Sequence, residues 1–482
     1  MMKKFTILFL LIFGASNLTQ AQWGNDVRLT NNSAASLLSK NECLVVSNDT
    51  LHVTWVDTRD GNSEVYYKCS INGGISWGID TRLTYNDSLA DRPVIALSGS
   101  NLHVVWTSCR DGNNEIYYKH STDGGTIWGA DVRLTNYLGN SSFADISVLD
   151  SVIHVVWYDN RDGTASIYYK RSTDGGVSWG SEVAIKSGSG GANSASIAIS
   201  GSDVYVTWAD YRDGNLEIYY KHSTNAGDIW GSATRLTYNP ANSQLPRMVI
   251  SASIVHVAWY DARDGNYEIY YKRSTDGGLT WGVDTRLTNA SGNSKTITML
   301  VSGSLVHIAW QDDRNGNYEI FYMCSMDGGL SWSSDTLLVN NNVTMSERPS
   351  IALSGDAVHL IWQDKRDGPN GEIYYKRNPT GNFIGIEDRD ITKNYLAIYP
   401  NPFSEYTNIE FEMASPGNVE IIIFNQLGNH IQTLKYNNCK AGRNSLQWNC
   451  SDKNGIAVPS GIYYCEVIFG KEMLVKKMIV VK

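Results

Sequence analysis

The stretch Arg92–Thr135, RPVIALSGSNLHVVWTSCRDGNNEIYYKHSTDGGTIWGADVRLT, decides how the chain is read. It divides into four short extended pieces: Arg92 to Gly99, Leu102 to Trp106, Glu115 to Lys119 and Trp128 to Thr135. Each is rich in β-branched and aromatic residues, and Ser-Gly, Asp-Gly and Gly-Gly pairs separate them, as turns require. The same unit recurs along the chain. Trp55, Trp106, Trp157, Trp208, Trp259 and Trp310 stand 51 residues apart, and Trp362 follows after 52. A second series, Trp77, Trp128, Trp179, Trp230, Trp281 and Trp332, keeps the same period.

Four short strands in about 50 residues make one blade of a β-propeller. A helical repeat of that length would need apolar residues three and four apart and fewer glycines. The first three pieces occur seven times each, but the fourth follows only six of the third. Its seventh copy stands before all the others, as Trp23-Gly-Asn-Asp-Val-Arg-Leu-Thr30. The chain is therefore expected to be all-β, with a seven-bladed propeller of four-stranded blades over residues 22–378. Its N-terminal strand would complete the last blade, and such closure leaves no lone sheet edge.

Composition narrows the partners. Aromatic residues make up 11% of the 482, too many for a disordered chain, and the net charge of −9 lacks the basic stripe that nucleic acid demands. Residues 1–21 read as a signal peptide: Lys3 and Lys4 precede an apolar run from Phe5 to Ala15, and Thr19 and Ala21 fit a cut before Gln22. That run rises only about 16 Å as a helix, half of a ~30 Å hydrocarbon core, so an anchor is the weaker reading. No transmembrane segment is expected in the mature chain. The seven cysteines are too few and too scattered for a disulfide framework. Cys69 and Cys324 share one repeat slot in different blades, and Cys43 and Cys109 have no obvious mates, so free thiols are expected.

Between third and fourth strands stands Ser121-Thr-Asp123-Gly-Gly125-Thr-Ile-Trp128. The pattern returns with Asp174, Asp276 and Asp327, and with Asn72 and Asn225 in place of Asp. It resembles the Asp-box, or BNR, repeat of the sialidase-like β-propellers. The physical reading agrees: Asp and Asn accept hydrogen bonds from nearby amides, and Gly allows a positive φ. Asn keeps that turn bond and discards the charge, as a structural role permits. The resemblance implies that a glycosidase of the sialidase superfamily is one reading of the chain. Those enzymes, however, use six blades and place three Arg, a Tyr–Glu pair and an Asp at non-equivalent positions. Here the blades are near-copies, so no catalytic residue carries over. Arg92-Pro93 and Arg348-Pro349 resemble the family's Arg-Ile-Pro segment, but both are repeat positions.

A His precedes the second-strand Trp by three in six blades: His52, His103, His154, His256, His307 and His359, with Tyr205 in the fourth. Metal donors lie about 2 Å from their ion, whereas packed sheets lie ~10 Å apart, so these cannot converge on one metal. A hydrogen-bonded His between blades is expected instead, and the paired third-strand tyrosines are assigned to packing.

The loop between second and third strands reads Trp-x-Asp-x-Arg-Asp-Gly-Asn, followed by Glu at the start of the third strand. Its Arg is present in all seven blades as Arg59, Arg110, Arg161, Arg212, Arg263, Arg314 and Arg366. The first Asp is present in six, as Asp57, Asp159, Asp210, Asp261, Asp312 and Asp364. These are the candidate ligand-rim residues, at the end opposite the Asp-box turns. Counting both Asp positions and the Glu sets eighteen carboxylates against seven guanidinium groups, an acidic rim. Such a rim favours neutral or cationic ligands, including sugars stacked on Tyr158, Tyr211 or Tyr260. Ca²⁺ is conceivable on its oxygen donors, but an Arg in each loop competes for them. The simpler role of each Arg is to bridge its neighbouring carboxylates and lock the hairpin.

Beyond Asn378 the period ends. A linker at 379–393 leads to Tyr399-Pro-Asn-Pro-Phe403, alternating segments such as Asn418 to Phe424, a Leu427-Gly428 turn, a Ser-Gly-Ile-Tyr463 segment and a basic β-tail. Alternation over this length suggests a small Ig-like β-sandwich at 394–482. The segment closely resembles the type A sorting domain of the type IX secretion system of Bacteroidetes-type bacteria. That resemblance implies type IX machinery as a partner and release from the cell or attachment to its surface. The leading functional reading is a secreted binding or adhesion module for a glycan or another surface ligand. A glycoside hydrolase or polysaccharide lyase is the second, and a purely structural surface protein the third.

Overall fold

Short runs of β-branched and aromatic residues, each cut off by a Gly- or Asn-bearing turn, cannot build a helix of useful length. Accordingly the computed structural model has strands as its regular elements across the residues described: 23–40, 42–85, 88–340, 344–380, 396–413, 415–425, 430–469 and 472–481. The expected signal peptide, most of the linker and the Leu427-Gly428 turn lie outside these residues. No helix among the described residues is long and apolar enough to cross a membrane. The chain divides into two compact units that meet in sequence at residues 382 and 383.

The first unit holds seven antiparallel sheets. In the second repeat the strands are Ala90–Ser98, Asn101–Ser108, Glu115–Ser121 and Val132–Arg133, joined in order by hairpins. The seventh sheet contains Ser346–Ser354, Ala357–Asp364 and Glu372–Asn378, and takes its outer strand from the other end of the repeat region: Val27 lies opposite Tyr375 and Arg28 opposite Tyr374. Each inner strand touches those of the sheets before and after it, and the seventh touches the first, so the inner strands form a closed ring.

Sheets pack through their faces. Val94, Val105 and Tyr118 of the second repeat share a core with Ile146, Val155 and Trp157 of the third. The seven second-strand Trp rings are fully buried, and each removes a large apolar area from water. Turn chemistry then ties one sheet to the next. His52 Nδ1 lies 2.6 Å from Tyr67 Oη of its own sheet, and Tyr67 donates to the Gly124 carbonyl of the next at 3.3 Å. The His is thus bonded within its sheet, and the Tyr carries the link across. In the fourth repeat Tyr205 stacks on His222 at 4.1 Å instead.

The fourth strand is shorter than the expected eight residues. It spans two residues in five sheets and four in the others, Val183–Lys186 and Thr336–Val339. Trp128 stands outside it because its ring packs edge-on against Tyr67 of the preceding sheet, 5.1 Å between centroids. The same contact runs round the ring, with Trp77 on Tyr375 at 5.2 Å and Trp23 on Tyr322 at 5.4 Å. Holding that ring across the gap takes the backbone off the ladder.

The second unit has two sheets around one core. Leu396–Tyr399, Thr407–Met413 and Gly442–Trp448 form one, and His430–Cys439, Gly417–Asn425, Gly461–Phe469 and Glu472–Val480 the other. Ile409 and Phe411 from the first meet Ile421, Ile423 and Val467 from the second. Asn401 of the Tyr-Pro-Asn-Pro segment clips the last strand, donating to the Lys477 carbonyl at 2.9 Å and accepting from the Ile479 amide at 2.8 Å. Among the described residues, none of the seven cysteines is joined in a disulfide.

Candidate functional site

Six of the seven loops between second and third strands are built on the same Asp–Arg pair. Asp57 Oδ2 accepts from the Trp55 indole at 2.9 Å, and Arg59 returns onto Asp57 through its amide at 3.0 Å, Nε at 2.8 Å and Nη2 at 2.6 Å. The remaining Arg59 Nη1 meets Asp80, just before the outer strand, at 2.7 Å. Asp80 also holds Lys68 at 2.8 Å. Asp159 with Arg161, Asp261 with Arg263 and Asp312 with Arg314 repeat the bidentate pairing; Asp364 with Arg366 and Asp210 with Arg212 pair through Nη2. Arg110 faces Ser108 instead and keeps Asp131 at 2.7 Å. Burial pushes the Asp57 carboxyl up, but its bonds to Arg59 and Trp55 outweigh that and hold it below the ordinary range.

The side chains of all six aspartates are 0% exposed, and their Arg partners are between 8% and 33% exposed. Each Arg closes on carboxylates of its own repeat, and neighbouring clusters are joined through a serine, as Ser294 Oγ donates to Asp312 at 2.6 Å and to Glu268 of the preceding repeat at 3.5 Å. The charge count of eighteen against seven also leaves out a second arginine. Arg82 from the outer strand binds Glu64 at 2.8 Å and Asp60 at 3.3 Å, and Arg133, Arg235, Arg286 and Arg28 do the same in their repeats. Much of the expected excess of negative charge is therefore neutralised by groups that stand 18 or more residues away in the sequence.

At the opposite end of the third strand, Asp123 accepts from Ser121 Oγ at 2.8 Å and the Ile127 amide at 2.9 Å. Asp174, Asp276 and Asp327 close their turns on the amides of Ser178, Thr280 and Ser331. Asn72 and Asn225 do so with Ser76 at 2.9 Å and Ile229 at 2.8 Å. Hydrogen bonds from Ser178 and Thr280 hold the Asp174 and Asp276 carboxyls down at about 2. All six are turn-formers. Among the described residues, no three His, Cys, Asp or Glu side chains gather as a metal would require.

A different set converges at the mouth of the inner-strand ring. Near its start, each inner strand from the second repeat onward carries a bulge, as between Asp91 and Val94. One residue of each bulge is left-handed without being Gly: Arg92 at φ 54°, Phe143 at 55°, Ser194 at 55°, Leu245 at 49°, Thr296 at 49° and Arg348 at 55°. A left-handed non-Gly residue costs roughly 1–2 kcal/mol. Repeats that are otherwise near-copies here carry six residues of five chemical types. Ala90 pairs with Ser108, so the bulges open on the same end as the Arg-bearing loops.

Around that mouth the Arg92 guanidinium lies 4.1 Å over the Phe143 ring, and Phe143 meets Tyr158 at 6.3 Å. Arg348 donates to the Leu38 carbonyl at 2.7 Å, and buried Arg247 donates to that of Lys40. Burial and the charges of Arg348, Arg92 and Arg247 all lower the Lys40 ammonium. Asp145 is buried. Burial and Glu42 raise its carboxyl, while the Ile146 and Ile197 amides occupy its two oxygens at 3.1 Å and 3.0 Å. Phe143, Lys40 and Arg247 escaped the sequence reading. The available signal was a short stretch at the start of the inner strand that changes identity from repeat to repeat, while the second and third strands stay nearly constant.

Residues 397–481 match the family model described as the secretion system C-terminal sorting domain. This is the sorting tail of the type IX system, and it marks the chain for export to the cell surface or beyond. No curated protein matches the chain. Among solved structures it is similar to the polysaccharide lyase Uly1, at 8% identity and a TM-score of 0.51, over 74% of this chain and 99% of that one. It is also similar to the endosialidase of phage phi92, at 11% identity and a TM-score of 0.46, over 94% and 87%. The GH93 α-L-arabinofuranosidase of Fusarium graminearum is similar at 13% identity and a TM-score of 0.45, over 63% and 98%. Identities this low speak of fold alone.

Proposed function

We propose that the chain is an exported, seven-bladed β-propeller that binds an extracellular glycan at the mouth of its inner-strand ring. The propeller is assigned to residues 22–378, behind a cleaved signal peptide at 1–21. A linker at 379–393 joins it to an Ig-like sorting domain at 394–482. One observation carries the reading: the repeats stop being copies near the start of the inner strands, where six of them hold a left-handed, non-Gly residue. Strain kept at one place by otherwise interchangeable units points to use of that place. Its chemistry suits sugars, with cations Lys40, Arg92 and Arg348 for polar groups and the rings of Phe143 and Tyr158 for apolar sugar faces. The carbohydrate-active fold neighbours and the export tail support the same reading. In it, the loop arginines Arg59 through Arg366 are clamps of their hairpins, and the Ser-x-Asp turns are Asp-boxes with a structural role.

A glycan array run with the secreted protein and with an Arg92→Ala/Arg348→Ala variant tests this. Binding by the native chain that falls at least tenfold in the variant is the expected result. Binding that survives the double change would remove the ligand from the mouth. Cleavage of the bound glycan, abolished by the same changes, would make the mouth an active site.

A further inference from the structure

In six of the seven repeats the residue three after the outer-strand Trp is acidic: Asp26, Asp80, Asp131, Glu182, Asp284 and Asp335. In the fourth it is Ala233. Elsewhere this carboxylate joins two cations. Asp80 holds Arg59 at 2.7 Å and Lys68 at 2.8 Å, Asp284 holds Arg263 at 2.9 Å and Lys272 at 2.8 Å, and Asp26 holds Arg366 at 2.7 Å and Lys376 at 2.8 Å. The sixth repeat has Met323 in place of the Lys and keeps Asp335 for Arg314. The fourth repeat alone retains both cations, Arg212 and Lys221, without the acid between them.

The two cations show the difference. Arg212 reaches Asp210 through its amide at 3.0 Å and Nη2 at 2.5 Å and lies 4.4 Å over the Tyr219 ring. Asp213, also near it, is held by Arg235 at 3.1 Å. The Lys221 ammonium makes no hydrogen bond or ion pair among the described residues. Its counterparts Lys170 and Lys272 donate to the Leu134 and Leu236 carbonyls at 2.7 Å and 2.5 Å. Burial and the Arg212 charge both lower the Lys221 ammonium, as expected of a cation next to a like charge. A third cation stands near: Lys186 of the neighbouring repeat feels both Asp210 and Arg212, and its Nζ is held by the Gly188 and Ser189 carbonyls at 3.2 Å and 3.3 Å.

A second feature is peculiar to the same loop. Tyr211, directly before Arg212, is 51% exposed. The other repeats have Thr58, Cys109, Asn160, Ala262, Asp313 and Lys365 at that place. The equivalents of these two cations share one carboxylate in other repeats; with an exposed aromatic ring on the same loop, the pair matches a sugar that carries its own carboxylate.

We infer that Arg212, Lys221 and Tyr211 bind a uronic acid residue of a polysaccharide, whose carboxylate takes the role that Asp80 and its counterparts play in the other repeats. The site belongs to the loop and outer strand of one repeat, apart from the inner-strand residues of the mouth.

Titration calorimetry on the full mature chain tests it, with a galacturonate oligosaccharide, its neutral galactose counterpart, acetate and a polyglutamate peptide as probes. The native chain should bind the uronate oligosaccharide and not the neutral one. Ala233→Asp, which restores the acid of the other repeats, should weaken that binding at least tenfold while the unfolding midpoint holds or rises. Lys221→Gln should weaken it similarly. Tyr211→Ala should weaken uronate binding and leave acetate binding as it was. The Arg92→Ala/Arg348→Ala variant should still bind, which separates this site from the mouth. Native affinity in Ala233→Asp, or equal binding of the neutral oligosaccharide, would overturn the site. Polyglutamate bound as tightly as uronate, with no effect of Tyr211→Ala, would overturn the sugar assignment.

Discussion

Six histidines set the pH response of the propeller. His52, His103, His154, His256, His307 and His359 are each lowered by burial from the ordinary 6.5 to about 4. Geometry explains why. Nδ1 is taken by a Tyr hydroxyl, and Nε2 of His103, His256, His307 and His359 has no acceptor to receive a second proton. Between pH 6.5 and 4 the unfolded chain therefore binds protons that the folded chain refuses, so stability falls as pH drops through that window. Each histidine contributes at most about 1.4 kcal/mol per pH unit there. Denaturant midpoints measured at pH 7, 5.5 and 4.5 should fall steeply, and His103→Asn/His307→Asn should flatten the slope. An unchanged slope would place the titration elsewhere; the lowered aspartates act only below pH 3.8. Gly176 makes a second residue-scale prediction. Its φ is +90°, and a Cβ would sit 2.1 Å from Tyr118 Oη. Gly176→Ala should cost about 2–4 kcal/mol, read as a lower unfolding midpoint. Sequence shows that a Gly belongs in this turn; that the next sheet's Tyr forbids any side chain there is a contact across 58 residues.

At the scale of elements, the N-terminal strand is the piece most open to test. Val27–Arg28 is only two residues long, yet Arg28 binds Glu372 at 2.7 Å and Asp26 holds both Arg366 and Lys376. Trp23 supplies the aromatic contact to Tyr322 that every other junction also has. Trp23→Ala should cost about 2–3 kcal/mol, a fall of several degrees in the unfolding midpoint. Deleting Trp23 to Thr30 should cost more, with hydrogen exchange rising first in Glu372–Asn378. An unaltered midpoint in the deletion would refute a closing role for this strand. Strand identity was legible from turn spacing and β-branched runs. The length of the outer strand was not, because Trp128 and its equivalents look like strand residues and are instead held away by a neighbour's Tyr.

For the whole molecule, export and folding are separate tasks of separate segments. A chain ending before residue 397 should fold and remain inside the cell envelope of a host with type IX secretion, as fractionation would show; undiminished delivery outside would refute the sorting role. The number of repeats, the strand class, the displaced seventh outer strand and the export tail were all readable from sequence. Each rests on periodicity, turn chemistry or a contiguous motif, and these are local along the chain. Tertiary structure alone decided which charges cancel. Asp57, Arg59 and Asp80, or Glu64 and Arg82, meet only when hairpins close, and a charge count cannot see that its eighteen carboxylates have further partners. It also decided where the repeats differ usefully. Arg92, Phe143 and Arg348 lie about 51 or more residues apart and become neighbours only because the inner strands close into a ring. Ala233 is one unremarked alanine in the sequence. It acquires meaning from Arg212 and Lys221, which the fold holds on either side of the place where six other repeats put a carboxylate.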